Sequence, residues 1–141
     1  MKIVRPIVLA AALAFVPAAA QAQGKPAAKD ALLYFVTPKN GQVIKGAFWA
    51  RFGLRNMGVT HAGDDFPNSG HHHLLIDVAD PLEPNDPIPA DKNHMHLVAG
   101  QTEVQLDLPP GRHTLQLVLG DGRHYPFNPP LVSEKITITI K

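Results

Sequence analysis

The sequence predicts an all-β fold, an antiparallel sandwich of about seven short strands. Apolar residues recur at every second position in several runs, for example at Leu115, Leu117 and Leu119, and a period of two is typical of a half-buried strand. Turn-forming residues separate these runs, as in Pro109-Pro110-Gly111 and Gly120-Asp121-Gly122. Alternating strands with such turns favour an immunoglobulin-like β-sandwich.

The same alternation places the strands along the chain. Phe48, Ala50 and Phe52 share one face of an early run, and isoleucines alternate with threonines near the C-terminal end. The segment 80–91 contains four prolines, and because proline cannot donate to a strand ladder we expect a surface loop there. The predicted strands are 32–37, 42–54, 71–78, 94–98, 102–108, 112–119 and 133–140.

The first residues have the features of a cleavable Sec-type secretion signal. Lys2 and Arg5 precede an apolar run at 7–15, which is too short to span a bilayer. An Ala-Gln-Ala sequence ending at Ala22 is a signal peptidase site, so we expect cleavage after Ala22 and a periplasmic or secreted protein. The expected organisation is a signal peptide at 1–22, a flexible leader at 23–31 and a β-sandwich domain at 32–141.

Charge and cysteine content exclude several classes of protein. Cleavage would remove two of the 13 Lys and Arg residues and leave 11 against 12 acidic residues, a net charge of −1. This balance gives no support to a nucleic-acid partner, and no membrane span would remain after cleavage. Because the chain has no cysteine, it has no disulfide, no thiolate metal ligand and no cysteine nucleophile.

The eight histidines are concentrated in two H-x-H patterns, both on predicted strands. His71 and His73 project to one side of their strand, as do His94 and His96 of theirs, so each pair can bind one ion. Imidazole suits copper, zinc and nickel, and we expect a copper or zinc ion. The candidate ligands are His71, His73, His94 and His96, with His124 as a fifth because the loops of a sandwich cluster at its ends.

Other side chains of these segments have simpler explanations. His72 and His113 lie on apolar faces, and we expect His113 to be a hydrogen-bonded core histidine. His61 lies in an acidic loop and needs no function. Met57 and Met95 are possible thioether ligands that would favour Cu(I).

The runs SGHHHLLIDV at 69–78, IPADKNHMH at 88–96 and GQTEVQLDLPPGRHTLQLVLGD at 100–121 are the most distinctive parts of the sequence. They resemble a family of small exported bacterial proteins catalogued as domain of unknown function 4399, and the resemblance covers roughly residues 36–140. It implies a histidine after the LGD step, where this chain has His124. A further histidine often stands where this chain has Phe127.

These observations favour a periplasmic metal-binding protein, a carrier or buffer for copper or zinc, with the ion and another envelope protein as its partners. One alternative is a nonmetal envelope adhesion or assembly module, for which Trp49, Arg51 and Tyr125 are candidate contacts. A second alternative is a metalloenzyme with dismutase-like redox chemistry. We expect a binding protein rather than an enzyme, because the sequence has no recognisable catalytic triad.

Overall fold

The computed structural model describes residues 24–80, 82–83 and 85–141, and the predicted signal peptide at 1–22 lies outside them. The described residues form strands and no helices, so the all-β prediction is confirmed. Accordingly, no helix in this part of the chain is suited to crossing a membrane. The strands are β1 (Leu32–Thr37), β2 (Val43–Ile44), β3 (Phe48–Arg55), β4 (Gly58–Val59), β5 (Ser69–Ile76), β6 (His94–His96), β7 (Glu103–Leu106), β8 (Gly111–Gly120) and β9 (Ile136–Ile140).

These strands form the two sheets of an immunoglobulin-like sandwich. One sheet has three antiparallel strands in the order β1-β3-β7, and the other has the order β2-β9-β8-β5-β4, with β6 also paired to β5. The two-residue strands β2 and β4 run parallel to β9 and β5, and the other pairs are antiparallel. The antiparallel sandwich is therefore confirmed, apart from these two short parallel strands.

The single strand predicted at 42–54 is two strands that belong to different sheets. β2 pairs with β9 in the six-stranded sheet, whereas β3 pairs with β1 and β7. Gly46, between them, has a φ of +67°, a left-handed conformation that glycine adopts at little cost. The prediction of one continuous strand was wrong here, and Gly46 was the signal for the break.

The core lies between the sheets and follows the predicted alternation. Leu33 and Phe35 of β1 and Phe52 of β3 pack against alternate residues of β5, β8 and β9. Burying one such leucine or phenylalanine contributes roughly 1.5–3 kcal/mol. The other buried members of this cluster are Ile44, Ala50, Leu74, Ile76, Leu97, Leu106, Leu115, Leu117, Leu119, Phe127, Ile136, Ile138 and Ile140.

β5 differs from the other strands because all eight of its residues are buried. Leu74 and Ile76 face the core between the sheets, whereas Leu75 packs with Val118 and Ile88 on the opposite side. Ile88 belongs to the proline-rich segment 80–91, which was expected to be a surface loop. Ile88 and the half-buried Leu82 of this segment both pack over the six-stranded sheet beside Leu75 and Val118, so the described part of the segment covers this side of β5.

The segment expected to be a flexible leader makes specific contacts from Gly24 onwards. The carbonyl of Lys25 accepts a hydrogen bond from the backbone N–H of Asn128, and its ammonium group forms an ion pair with Asp65. Ala27 packs against the core. These contacts hold the described part of the leader beside the loop that follows β8.

Candidate metal centre

Three histidines meet where β6 pairs with β5. His73 of β5 stands opposite His96 of β6, and His71 lies two residues from His73 on the same face of β5. The Nε2 atom of His71 is 3.0 Å from that of His73 and 3.0 Å from that of His96. One ligand nitrogen from each of the three rings lies within 4.8 Å of the others. The three imidazoles therefore present nitrogen atoms to one small volume.

The register of the same strand pair separates His94 from this cluster. His94 stands opposite Leu75, two residues along the strands from the pair formed by His73 and His96. Its Nδ1 atom lies 2.9 Å from the carboxylate of Asp91, which also accepts a hydrogen bond from the backbone N–H of His94. Only one histidine of the second H-x-H pattern therefore joins the first pattern, because the two patterns are staggered across the sheet.

His124 lies beside the three histidines, in the loop that follows β8. The centroid of its ring is 4.4 Å from that of His96, 5.0 Å from that of His71 and 6.2 Å from that of His73. The loops at this end of the sandwich thus bring His124 to the start of β5. Four of the five candidate ligands come together, and His94 does not.

Hydrogen bonds alone do not explain the arrangement of the three nitrogen atoms. A ring nitrogen of neutral histidine carries either one hydrogen or one lone pair in the ring plane. Nε2 of His71 faces two other nitrogen atoms at the same short distance of 3.0 Å, and one hydrogen or one lone pair cannot make two well-directed bonds. A cation at the centre would use a lone pair from every ring.

The other nitrogen atoms of the two buried rings strengthen this argument. Nδ1 of His71 and Nδ1 of His73 are buried and have no hydrogen-bonding partner among the described residues. A buried polar atom without a partner costs about 1–3 kcal/mol. Among the described residues, the only ring atom of His71 and His73 that can make a favourable polar interaction is therefore Nε2. These Nε2 atoms are the ones that converge.

Burial also keeps the clustered imidazoles in the form that binds metals. Burial first, and then the neighbouring imidazoles, lower the pKa of His71 to about 4 and that of His73 to about 2. The pKa of His96 is lowered by burial and then by His124. At neutral pH these three rings are uncharged, and a neutral imidazole has the lone pair that a metal requires.

Gly120 and Ile88 complete the packing around His73. A Cβ atom on Gly120 would lie 2.9 Å from Nε2 of His73 and 3.2 Å from the Cδ1 atom of Ile88. The backbone N–H of Ile88 donates a 2.7 Å hydrogen bond to the carbonyl of His124. The sequence pattern predicts only a turn at Gly120, and it gives no signal for a role of Ile88. Glycine is needed at position 120 because the imidazole of His73 occupies the space that a Cβ atom there would take.

The two methionines considered as ligands lie away from the cluster. Met95, between His94 and His96 on β6, and Met57 both pack against the core between the sheets. Alternate residues of a strand project to opposite faces, so the thioether of Met95 lies on the far side of β6 from His96. The thioether ligands considered for Cu(I) are therefore not part of this site, and all of its donors are imidazole nitrogens.

The remaining histidines have separate environments. His72 points into the core, as expected, where its Nδ1–H donates to the carbonyl of Gln101 and burial lowers its pKa to about 4. His113 is hydrogen-bonded, as expected, but at the end of the core: Nδ1 faces Asp77 at 2.7 Å and Nε2 faces the carbonyl of Pro109 at 2.9 Å. The Asp77 hydrogen bond raises the pKa of His113. His61 is exposed.

The chain is therefore a small β-sandwich protein in which a cluster of imidazoles forms a candidate metal centre. The chain belongs to the family described as domain of unknown function (DUF4399), whose model matches residues 50–141. This match confirms the resemblance predicted from the sequence, and it includes all four clustered histidines. A search of curated proteins found no match.

Two solved structures are similar to this chain. One is an endo-beta-1,4-mannanase from Thermotoga petrophila, with 16% identity over 80% of this chain and 20% of that chain and a TM-score of 0.44. The other comprises the fibronectin(III)-like modules of Clostridium thermocellum CbhA, with 12% identity over 77% of this chain and 93% of that chain and a TM-score of 0.37. The chain thus spans only a fifth of the mannanase, and neither likeness carries an argument about function.

Proposed function

We propose that this protein binds a copper or zinc ion through His71, His73 and His96 and acts as a periplasmic carrier or buffer for that ion. The observation that carries the proposal is the position of Nε2 of His71, at 3.0 Å from two other imidazole nitrogens. In a tetrahedral site with metal–nitrogen bonds of about 2.0–2.1 Å, ligand nitrogens are about 3.3 Å apart. The two spacings of 3.0 Å are close to this value, and all three nitrogens lie within 4.8 Å of one another.

The donor set suits Zn²⁺ and Cu²⁺ and argues against Cu(I), calcium and magnesium. Imidazole nitrogens suit zinc, copper and nickel, whereas soft thioethers select Cu(I). The thioethers of Met57 and Met95 pack in the core instead. Calcium and magnesium prefer oxygen ligands, and none of the three grouped donors is an oxygen.

A carrier or buffer outside the cytoplasm requires export and an exchange partner. The secretion signal that ends at Ala22 supports export, and we propose another envelope protein as the partner that receives the ion. Mass spectrometry of protein from a periplasmic extract is expected to find Gln23 as the first residue. Intact Met1 in the membrane fraction would contradict cleavage and release.

Metal titration of the purified, untagged protein tests the proposal. We expect one Zn²⁺ or Cu²⁺ ion per chain by calorimetry, and loss of tight binding in the double variant His71→Ala with His73→Ala. His61→Ala is the matched control, because His61 is exposed and lies outside the cluster. If the wild-type protein binds neither ion at micromolar concentration, the proposal is wrong.

The adhesion or assembly module is the second candidate, and one observation favours it. Trp49 is 44% exposed on the three-stranded sheet, which is unusual for so large an aromatic side chain and leaves it free to contact a partner. Arg51, two residues along β3, is paired with Glu103 at 2.8 Å. Tyr125 belongs to the loop of His124 instead. A wild-type protein that binds no metal would leave this candidate ahead.

A further inference from the structure

The rings of His71, His73, His96 and His124 are arranged as four ligands around one ion would be. If each imidazole bound a tetrahedral ion at about 2.0–2.1 Å, the ring centroids would be about 5 Å apart. The six centroid distances are 4.8, 4.9, 5.0, 4.6, 6.2 and 4.4 Å. The largest departure is the 6.2 Å between His73 and His124. Only His71, His73 and His96 have ligand nitrogens within 4.8 Å of one another, so the His124 ring must move or turn to bring a nitrogen to the site.

The backbone around His124 is fixed by one buried residue, Asp121. Its carboxylate Oδ1 accepts hydrogen bonds from the backbone N–H groups of Arg123 at 2.8 Å and Tyr125 at 3.0 Å. Its carbonyl accepts the N–H of His124 at 2.9 Å. Three consecutive N–H groups, with His124 in the middle, therefore all donate to Asp121, whose side chain is only 2% exposed.

His124 itself has a strained backbone conformation. Its φ is +69°, a left-handed region that is unfavourable for a residue with a Cβ atom. Such strain persists when the surroundings determine the conformation, and it is concentrated at functional sites. Here the hydrogen bonds to Asp121 and the one from Ile88 hold the loop, and the conformation places an imidazole beside the three others.

We infer that Asp121 is a positioning residue that holds His124 as the fourth ligand of a closed site of four imidazoles. This inference rests on the proposed function and deepens it. A four-coordinate site without an open position is typical of metal retention, whereas catalytic zinc sites keep one position for water or substrate. A closed site therefore suits a carrier or buffer better than an enzyme.

Four variants of the mature protein test the inference, with Co²⁺ as a spectroscopic probe and Zn²⁺ for affinity. His124→Asn removes the imidazole but keeps a residue that tolerates a positive φ. Asp121→Ala removes the carboxylate, whereas Asp121→Asn keeps an oxygen that can accept both N–H groups. Asp91→Ala is the matched control, because Asp91 holds His94 in a similar way outside the cluster.

We expect the wild-type protein to give the intense visible bands of four-coordinate Co²⁺ with four nitrogen ligands. His124→Asn and Asp121→Ala should change these bands alike and weaken Zn²⁺ binding by about 10- to 100-fold. Asp121→Asn should restore the wild-type spectrum, and Asp91→Ala should not change it. Should Asp121→Ala fail to fold, Asp121→Leu, which fills the same space without an oxygen acceptor, replaces it.

Two results would overturn the inference in distinguishable ways. If the wild-type protein binds the ion and His124→Asn has the same spectrum and affinity, His124 is not a ligand, although the three-histidine site stands. If His124→Asn weakens binding but removal of the Asp121 carboxylate, in Asp121→Ala or Asp121→Leu, does not, Asp121 does not position it. A wild-type protein that binds neither Co²⁺ nor Zn²⁺ overturns the proposed function itself.

Discussion

Nε2 of His71 lies 3.0 Å from Nε2 of His96, although the two residues are 25 positions apart in the sequence. The contact depends on the register of β5 with β6, which sets His96 opposite His73. Both rings belong to a cluster in which burial lowers the pKa of every strand-borne member. Neutral, converging imidazoles are the basis of the metal-binding proposal, and the following predictions depend on them.

The stagger of the two H-x-H patterns predicts different roles for His94 and His96. His96→Ala removes a clustered imidazole and should weaken Zn²⁺ binding by at least about 100-fold, whereas His94→Ala should change it by less than about threefold. The two variants are matched, since both truncate a half-buried histidine of β6. Calorimetric titration at neutral pH measures the difference, and equal losses would contradict the register.

The affinity of the protein for Zn²⁺ should depend only weakly on pH in the mildly acidic range. A protonated imidazole cannot bind a metal, so three ligands with the ordinary pKa of about 6.5 would each lose about tenfold between pH 7.5 and pH 5.5. Burial holds the pKa of His71 at about 4 and that of His73 at about 2, so both rings stay neutral at pH 5.5.

We therefore expect Zn²⁺ affinity to fall by far less than the roughly 1000-fold loss of three ordinary histidines between these pH values, and the contributions of His71 and His73 to be lost only near pH 4 or below. Titrations at pH 7.5, 5.5 and 4 in non-coordinating buffers measure the profile. A loss of about 1000-fold by pH 5.5 would mean that the ligands titrate as exposed histidines.

Gly120→Ala should disturb the site without adding or removing a ligand. The new Cβ would lie 2.9 Å from Nε2 of His73, so the ring must move, and we expect Zn²⁺ binding to weaken by about 10- to 100-fold. Gly58→Ala is the control, since its Cβ would meet its nearest neighbour at an ordinary 3.6 Å. Unchanged binding in Gly120→Ala would show that His73 Nε2 is not at the centre.

His113→Ala should lower stability rather than metal affinity. The hydrogen bond to Asp77 raises the pKa of His113, so the folded protein holds this proton more tightly than the unfolded chain. The resulting stability is fully present below about pH 6.5 and is lost as the pH rises through the raised pKa. Urea unfolding should give a loss of about 1–3 kcal/mol at pH 5.5 and a smaller loss at pH 8.5. The same loss at both pH values would contradict a charged pair.

Much of this fold is local in origin and could be predicted. The alternation in 112–119 and 133–140 identifies the residues of β8 and β9 that face the core between the sheets, and the same rule separated His72 from His71 and His73 on β5. The strand limits were less accurate where a glycine changes the direction of the chain, as at Gly46.

Which histidines form the site could not be predicted from the local sequence pattern, because it depends on how distant strands pair. The stagger of His94 and His96 is set by the pairing of two strands separated by a long loop, and strand periodicity does not specify register between strands. The role of Asp121 did have a local signal, because aspartate side chains in turns bind the backbone two residues on. The anchored leader had none, since its partners Asp65 and Asn128 are distant in sequence.

The metal content of untagged protein, purified from cells and measured by mass spectrometry, tests the central claim most directly. The account predicts one copper or zinc ion per chain in the wild-type protein and less than about a tenth of that in His71→Ala with His73→Ala. His61→Ala should match the wild type. Wild-type protein without copper or zinc, both when isolated and after incubation with micromolar concentrations of each, would contradict the account.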